Sequence, residues 1–213
     1  MKQLSIACAL ALGLALVASA PAAFAETAQA ASAAAQAPAA PQLHQALRSL
    51  WHGHIAATRD YALAVHAGNQ ADAKKAADAV VANAKQLSDA VAGFYGKAAG
   101  DGLLKLLAGH WMGVKALTDT TKAGEQKAMN DLATNGTAIA KFLAGANPNW
   151  TEGALQGALM MHVNDHKTQI DEMMSNAPAA QQAKSWTEMQ HHMGMIADVL
   201  ADGIAKQFPN KAH

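Results

Sequence analysis

From Leu43 onward, apolar residues recur at three- and four-residue intervals, and no stretch alternates as a strand would. Five clusters of helix-stopping and turn residues interrupt this period. They are "HAGNQAD" (66–72), "YGKAAGDG" (95–102), "KAGEQ" (122–126), "GANPNW" (145–150) and "SNAPAA" (175–180). The pattern predicts six helices near 43–66, 70–94, 101–122, 126–145, 151–175 and 179–207. Short connections make successive helices antiparallel neighbours, so the expected fold is an all-α, six-helix antiparallel bundle.

The apolar stripes are broken in a regular way. In "LLAGHW", His110 stands in the middle of the stripe made by Leu103, Leu106, Leu107, Val114 and Leu117. "LWHGHI" and "ALMMHV" do the same with His54 and His162. Each of the three has a bulky apolar residue three places before it (Trp51, Leu107, Leu159), another immediately after it (Ile55, Trp111, Val163), and a cation five places on (Arg59, Lys115, Lys167). The second helix of each pair follows a related rule: Val80-Asn83-Leu87, Leu132-Asn135-Ile139 and Met189-His192-Ile196. The domain therefore reads as three helical-hairpin repeats, and "AGxQ" at Ala67-Gly68 and Ala123-Gly124 as a turn shared by the first two. One polar residue per helix, six in all, is expected to face inward at mid-helix.

Buried imidazoles and amides left without partners cost about 1–3 kcal/mol each, so six of them must meet one another, water or a ligand. Neutral imidazole is a ligand of zinc, copper, nickel and iron. His54, His110, His162 and His192 are the expected metal ligands, converging in a closed arrangement of the three hairpins. Asn83 and Asn135 are expected at the rim, supporting the ligands. His166, His191, Met189 and Met193 are further candidates: "EMQHHMGM" sets thioethers beside imidazoles, which suits copper, and "LMMHVNDH" places His166 one turn after His162. Two alternatives stand beside copper or zinc. One is a purely structural polar network that fixes helix register or serves a protein partner; the other is non-covalent haem with His/Met or bis-His ligation. His44, His52, His66 and His213 fall at helix ends, on an expected outer face or at the terminus, and receive no role.

The N-terminus changes the context. "MKQLSIACALALGLALVASAPAAFA" has Lys2, an apolar run and an Ala23-Phe24-Ala25 cleavage pattern, so residues 1–25 read as a secretory signal peptide. Residues 26–42, rich in Ala, Gln and Pro, read as a flexible tether, and residues 43–213 as the helical domain. The only cysteine, Cys8, would leave with the signal peptide, so the exported chain would carry no disulfide and no thiolate ligand. The expected location is the periplasm or the cell exterior. A net charge of zero without a basic block argues against nucleic acid, and no later apolar run is long enough to span a membrane. No glycine-rich phosphate loop, C-x-x-C-H or H-E-x-x-H is present, and no nucleophile is paired with a base, so an enzyme is not the favoured class.

The chain from Leu50 to Phe208 resembles a family of small, all-helical, exported bacterial proteins whose biochemical function is open. The resemblance rests on "LW..HI..TR" (50–59), "YGKAAG..L..LL..H" (95–110), "ANPNW" (146–150), "L..H" (159–162) and "H...IAD.L.DGI..QFP" (192–209). It implies histidines where His54, His110, His162 and His192 stand. Ala57 replaces a frequent tryptophan of that pattern, and Gln190 a second histidine.

Overall fold

A computed structural model describes residues 39–120 and 122–212. The expected signal peptide, tether residues 26–38 and His213 lie outside the described residues. Six helices follow one another: α1 (Pro41–His66), α2 (Gln70–Tyr95), α3 (Lys97–Asp119), α4 (Lys122–Ala146), α5 (Glu152–Met174) and α6 (Ala179–Gln207). No strand occurs among the described residues.

Three helices begin earlier than the turn chemistry predicts. Pro41 opens α1, where its fixed φ and missing N–H suit the first turn, so the end of the expected tether is helical. Gly96 alone connects α2 to α3: its φ of 88° reverses the chain in one residue, and "KAAGDG" is already helix. "KAGEQ" belongs to α4, which starts at Lys122. The "AGxQ" turn is therefore real only at Ala67-Gly68, where Gly68 takes a φ of 69° and the Asn69 side chain caps α2 by accepting from Asp72 N–H at 3.1 Å.

Each helix packs on its neighbours in sequence, and α6 returns to pack on α1, so the six form a closed ring. Within it α1, α3 and α5 also touch one another. The first helix of each hairpin thus lines the axis, and α2, α4 and α6 fill the gaps outside. Closure covers the apolar flanks that an open stack of three hairpins would expose.

The core is split in two along this axis. One apolar cluster holds Leu47, Trp51, Leu103, Leu107, Leu155 and Leu159 with the C-terminal half of α6. The other holds Tyr61, Val114, Leu117, Val163, Ile170 and Met173. Between them, at mid-helix on α1, α3 and α5, lies a layer of histidines.

The first end is locked by the loop between α4 and α5. Asn147, wholly buried, donates to the Tyr95 hydroxyl at 2.8 Å and accepts from Asn149 N–H at 2.9 Å. Trp150 Nε1 donates to Val199 O at 3.1 Å, and its ring lies where a side chain on Gly203 would be. Tyr95 stacks edge-on to Phe208 and donates to Gln207. "ANPNW" and "DGI..QFP" therefore do structural work, far along the bundle from the histidine layer.

Candidate metal centre

His54 comes from α1, His110 from α3, and His162 and His166 from α5, one turn apart on the same face. All four are buried, with 2–4% of their surface exposed. One nitrogen from each ring lies within 4.8 Å of one from every other. His162 Nε2 and His166 Nε2 are 3.0 Å apart. Five of the six ring-centroid separations fall between 5.7 and 6.0 Å, and the His162–His166 pair is at 4.3 Å. Four imidazoles on one ion at about 2.0–2.1 Å place donor nitrogens about 3.3 Å apart and ring centroids roughly 5 Å apart. The observed cage is a distorted tetrahedron, longer than this on five edges and shorter on the His162–His166 edge, and four buried histidines in this arrangement could hold a metal ion.

The electrostatics fit that use. Burial holds His54 down to about 3, with His110 nearby adding to the effect. Burial also holds His110 down to about 4, opposed in part by the Asn135 carboxamide. His162 lies well below the usual histidine value, first through burial and then through His166 and the other rings; His166 does so through burial, His54 and His110. At neutral pH the rings are uncharged, which is the form that donates a lone pair to a metal.

The polar-network alternative requires partners, and the rings lack them. Both nitrogens of His54, both of His110 and Nδ1 of His162 are buried without a hydrogen bond to protein. Only the His162–His166 contact joins two rings. A network that fixed register would be satisfied internally.

Asn83 and Asn135 take matching positions. Asn83 Nδ2 donates to Leu50 O at 2.8 Å, and Asn135 Nδ2 to Leu106 O at 3.0 Å; each carbonyl lies four residues before the histidine of the adjacent inner helix. Gly53 and Gly109 permit the approach, since a Cβ there would sit 3.2 and 3.0 Å from the amide nitrogens. Oδ1 of both amides has no hydrogen-bond partner. The third hairpin differs: Met161 replaces the glycine, and His192 replaces the asparagine.

His192 does not join the four. It sits on α6, in the outer ring, and its Nδ1 pairs with Asp165 Oδ2 at 2.8 Å. An outer helix cannot bring an imidazole to the axis while α5 stands between, and α5 supplies His166 there instead. His191 faces solvent. Met189 and Met193 are fully buried in the apolar cluster around Trp51 and Leu159. Rings this close leave no slot for a macrocycle, so the cage does not suit haem.

His44 is the histidine whose place the sequence concealed. It is buried between α1 and α6, its nitrogens 2.9 Å from Asp198 and 3.0 Å from Asp202, while Arg48 pairs with Asp198. The only signal was the four-residue spacing of those aspartates. His52 lies 3.3 Å from Gln190 O and His66 3.0 Å from Asn176 Oδ1.

No helix of the described residues is long and apolar enough to cross a membrane. Comparison of the chain with protein-family models, with curated proteins and with solved structures finds no match.

Proposed function

We propose that this chain is an exported helical-bundle protein that binds one transition metal ion, copper or zinc, through His54, His110, His162 and His166. The observation that carries the reading is the set of five buried imidazole nitrogens with no protein partner, in a cage of four rings whose donor atoms lie within 4.8 Å of one another. Four protein ligands complete a tetrahedral shell, as in structural, storage or transfer sites; catalytic sites keep a position open for water or substrate. Binding, rather than turnover, is therefore the activity. Asn83 and Asn135 support it: each has a buried Oδ1 without a partner, and Asn135, beside His110, would accept from that ring once its opposite nitrogen holds the ion. Export rests on residues 1–25, and membership of the small all-helical bacterial family on the motifs quoted above.

The test is elemental analysis of protein purified without a histidine tag, beside a His54→Leu/His110→Leu variant prepared in parallel. One metal ion per chain in the first and none in the second is the expected result. Equal metal in both would place the ion elsewhere, and none in either after loading with copper and zinc would refute the reading. N-terminal sequencing of the exported form should begin at Glu26.

A further inference from the structure

The four-histidine cage has an unusual charge environment. All its donors are neutral nitrogens; no carboxylate belongs to the group. Imidazoles that hold divalent ions almost always pass their second N–H to a carboxylate, a carbonyl or water, which spreads the ion's charge outward. Here no carboxylate and no backbone carbonyl takes an N–H from His54, from His110 or from His162 Nδ1, and the acceptor beside His110 is the neutral Asn135 carboxamide.

The acids on the surrounding helices are engaged elsewhere or, like Asp60 and Glu152, exposed at the surface. Asp165 accepts from His192, Glu172 accepts from Ser185 and Gln181, and Asp119 holds Tyr61 and Lys115. On the other helices Asp78, Asp89, Asp131, Glu188 and Asp198 each pair with a cation. Above and below the cage the neighbours are apolar: Trp51, Leu107 and Leu159 on one side, Val114 and Val163 on the other.

The free-energy cost of taking an ion out of water grows with the square of its charge, so a divalent ion costs about four times as much as a monovalent one of similar size. Hydroxide or chloride could cancel one charge only by entering a shell that four rings already fill. Zinc and Cu(II) would leave two positive charges in this core without a counter-charge, whereas Cu(I) leaves one. Imidazole is an accepted ligand of copper, and four rings match a tetrahedral d10 ion.

Resting on the metal-binding reading, we infer that the cage is selective for a monovalent soft cation, Cu(I) among biological metals, over divalent zinc. The selectivity comes from the missing negative charge and not from ligand geometry, which zinc shares.

The experiment is an anaerobic competition titration of the folded wild-type chain, with chromophoric chelators for Cu(I) and Zn(II) and with Ag(I) as a redox-inert monovalent ion. Cu(I) and Ag(I) should each bind at least on the order of 100-fold more tightly than Zn(II). A His166→Glu variant supplies the missing charge and should narrow the Cu(I)-to-Zn(II) ratio by about tenfold or more. Zinc binding as tight as Cu(I) in the wild type would overturn the inference and leave a metal site standing. A wild-type preference that His166→Glu, shown folded by circular dichroism, does not narrow would also overturn it, because softness alone would then explain the preference. An Asn135→Asp variant, which sets a carboxylate beside His110 and keeps all four nitrogen donors, should narrow the ratio in the same direction, and no narrowing in a folded Asn135→Asp chain would overturn the inference even where His166→Glu does not fold. Failure of all three ions to bind would refute the metal site itself.

Discussion

At the scale of single residues, the metal-free cage works against stability. Each buried imidazole without a partner costs about 1–3 kcal/mol. His54→Leu removes two such nitrogens at nearly constant volume. Metal-free His54→Leu should therefore be more stable than the metal-free wild type by about 1–3 kcal/mol, a rise of several degrees in Tm. The same variant should lose the Tm rise that metal gives the wild type. Thermal melts with and without chelator check both; a metal-free variant that melts several degrees lower would mean that the ring is structural. Three of the four cage histidines were legible in the sequence, because His54, His110 and His162 interrupt apolar stripes at equivalent places. The fourth was harder. His166 and His192 both lie inward on their own helices, and helical periodicity shows which face of a helix is buried, not how far that face stands from the axis. The four-residue spacing from His162 to His166 was the better clue, since it guarantees a shared face.

At the scale of helices and their connections, the loop between α4 and α5 carries more than its length suggests. Gly203→Ala would set a methyl group against the Trp150 indole, where its Cβ would lie 1.9 Å from Nε1. Overpacking of this kind costs about 1–3 kcal/mol, and Trp150 Nε1 would also be drawn from Val199 O. A lower midpoint of chemical denaturation and a shift in tryptophan emission should follow. Asn147→Ala leaves the Tyr95 hydroxyl and the Asn149 amide short of a partner, and should cost about 1–3 kcal/mol. Neither change should alter metal stoichiometry, because both lie at the far end from the cage. Helix number and order were legible from periodicity and turn residues. Helix starts were less so: Gly100, Gly102 and Gly124 resemble turn residues in sequence but lie within helices. One residue with positive φ, Gly96, is enough to turn the chain, and the neighbouring glycines, free of that demand, continue the helix.

At the scale of the whole molecule, the closed ring turns three separate histidine stripes into one centre, and it ties stability to pH. His54 and His110 are held near 3 and 4 when folded but return to about 6.5 when unfolded. Between about pH 6.5 and pH 4 the unfolded chain binds protons that the metal-free folded chain refuses, so stability rises with pH across that window and falls on acidification. Each unit of depression corresponds to about 1.4 kcal/mol, lost progressively as pH falls and in full only below the folded value. Denaturation midpoints of metal-free protein should drop steadily from pH 7 to pH 4.5, and by less in the His54→Leu variant. Bound metal adds stability by mass action, about 4 kcal/mol at a free concentration a thousand times Kd, and this gain too should shrink as protons compete for the imidazoles. A flat profile from pH 7 to pH 4.5 would contradict the buried, neutral state of the rings.

X-ray absorption at the edge of the bound metal, with the tag-free chain loaded with one equivalent, reads the donor atoms themselves. The cage predicts a first shell of about four nitrogen donors near 2.0–2.1 Å, with the outer-shell scattering of imidazole rings and no sulfur. A shell containing sulfur, which would bring in Met189 or Met193, or one of oxygen donors with fewer than three imidazoles, would contradict a site built from His54, His110, His162 and His166.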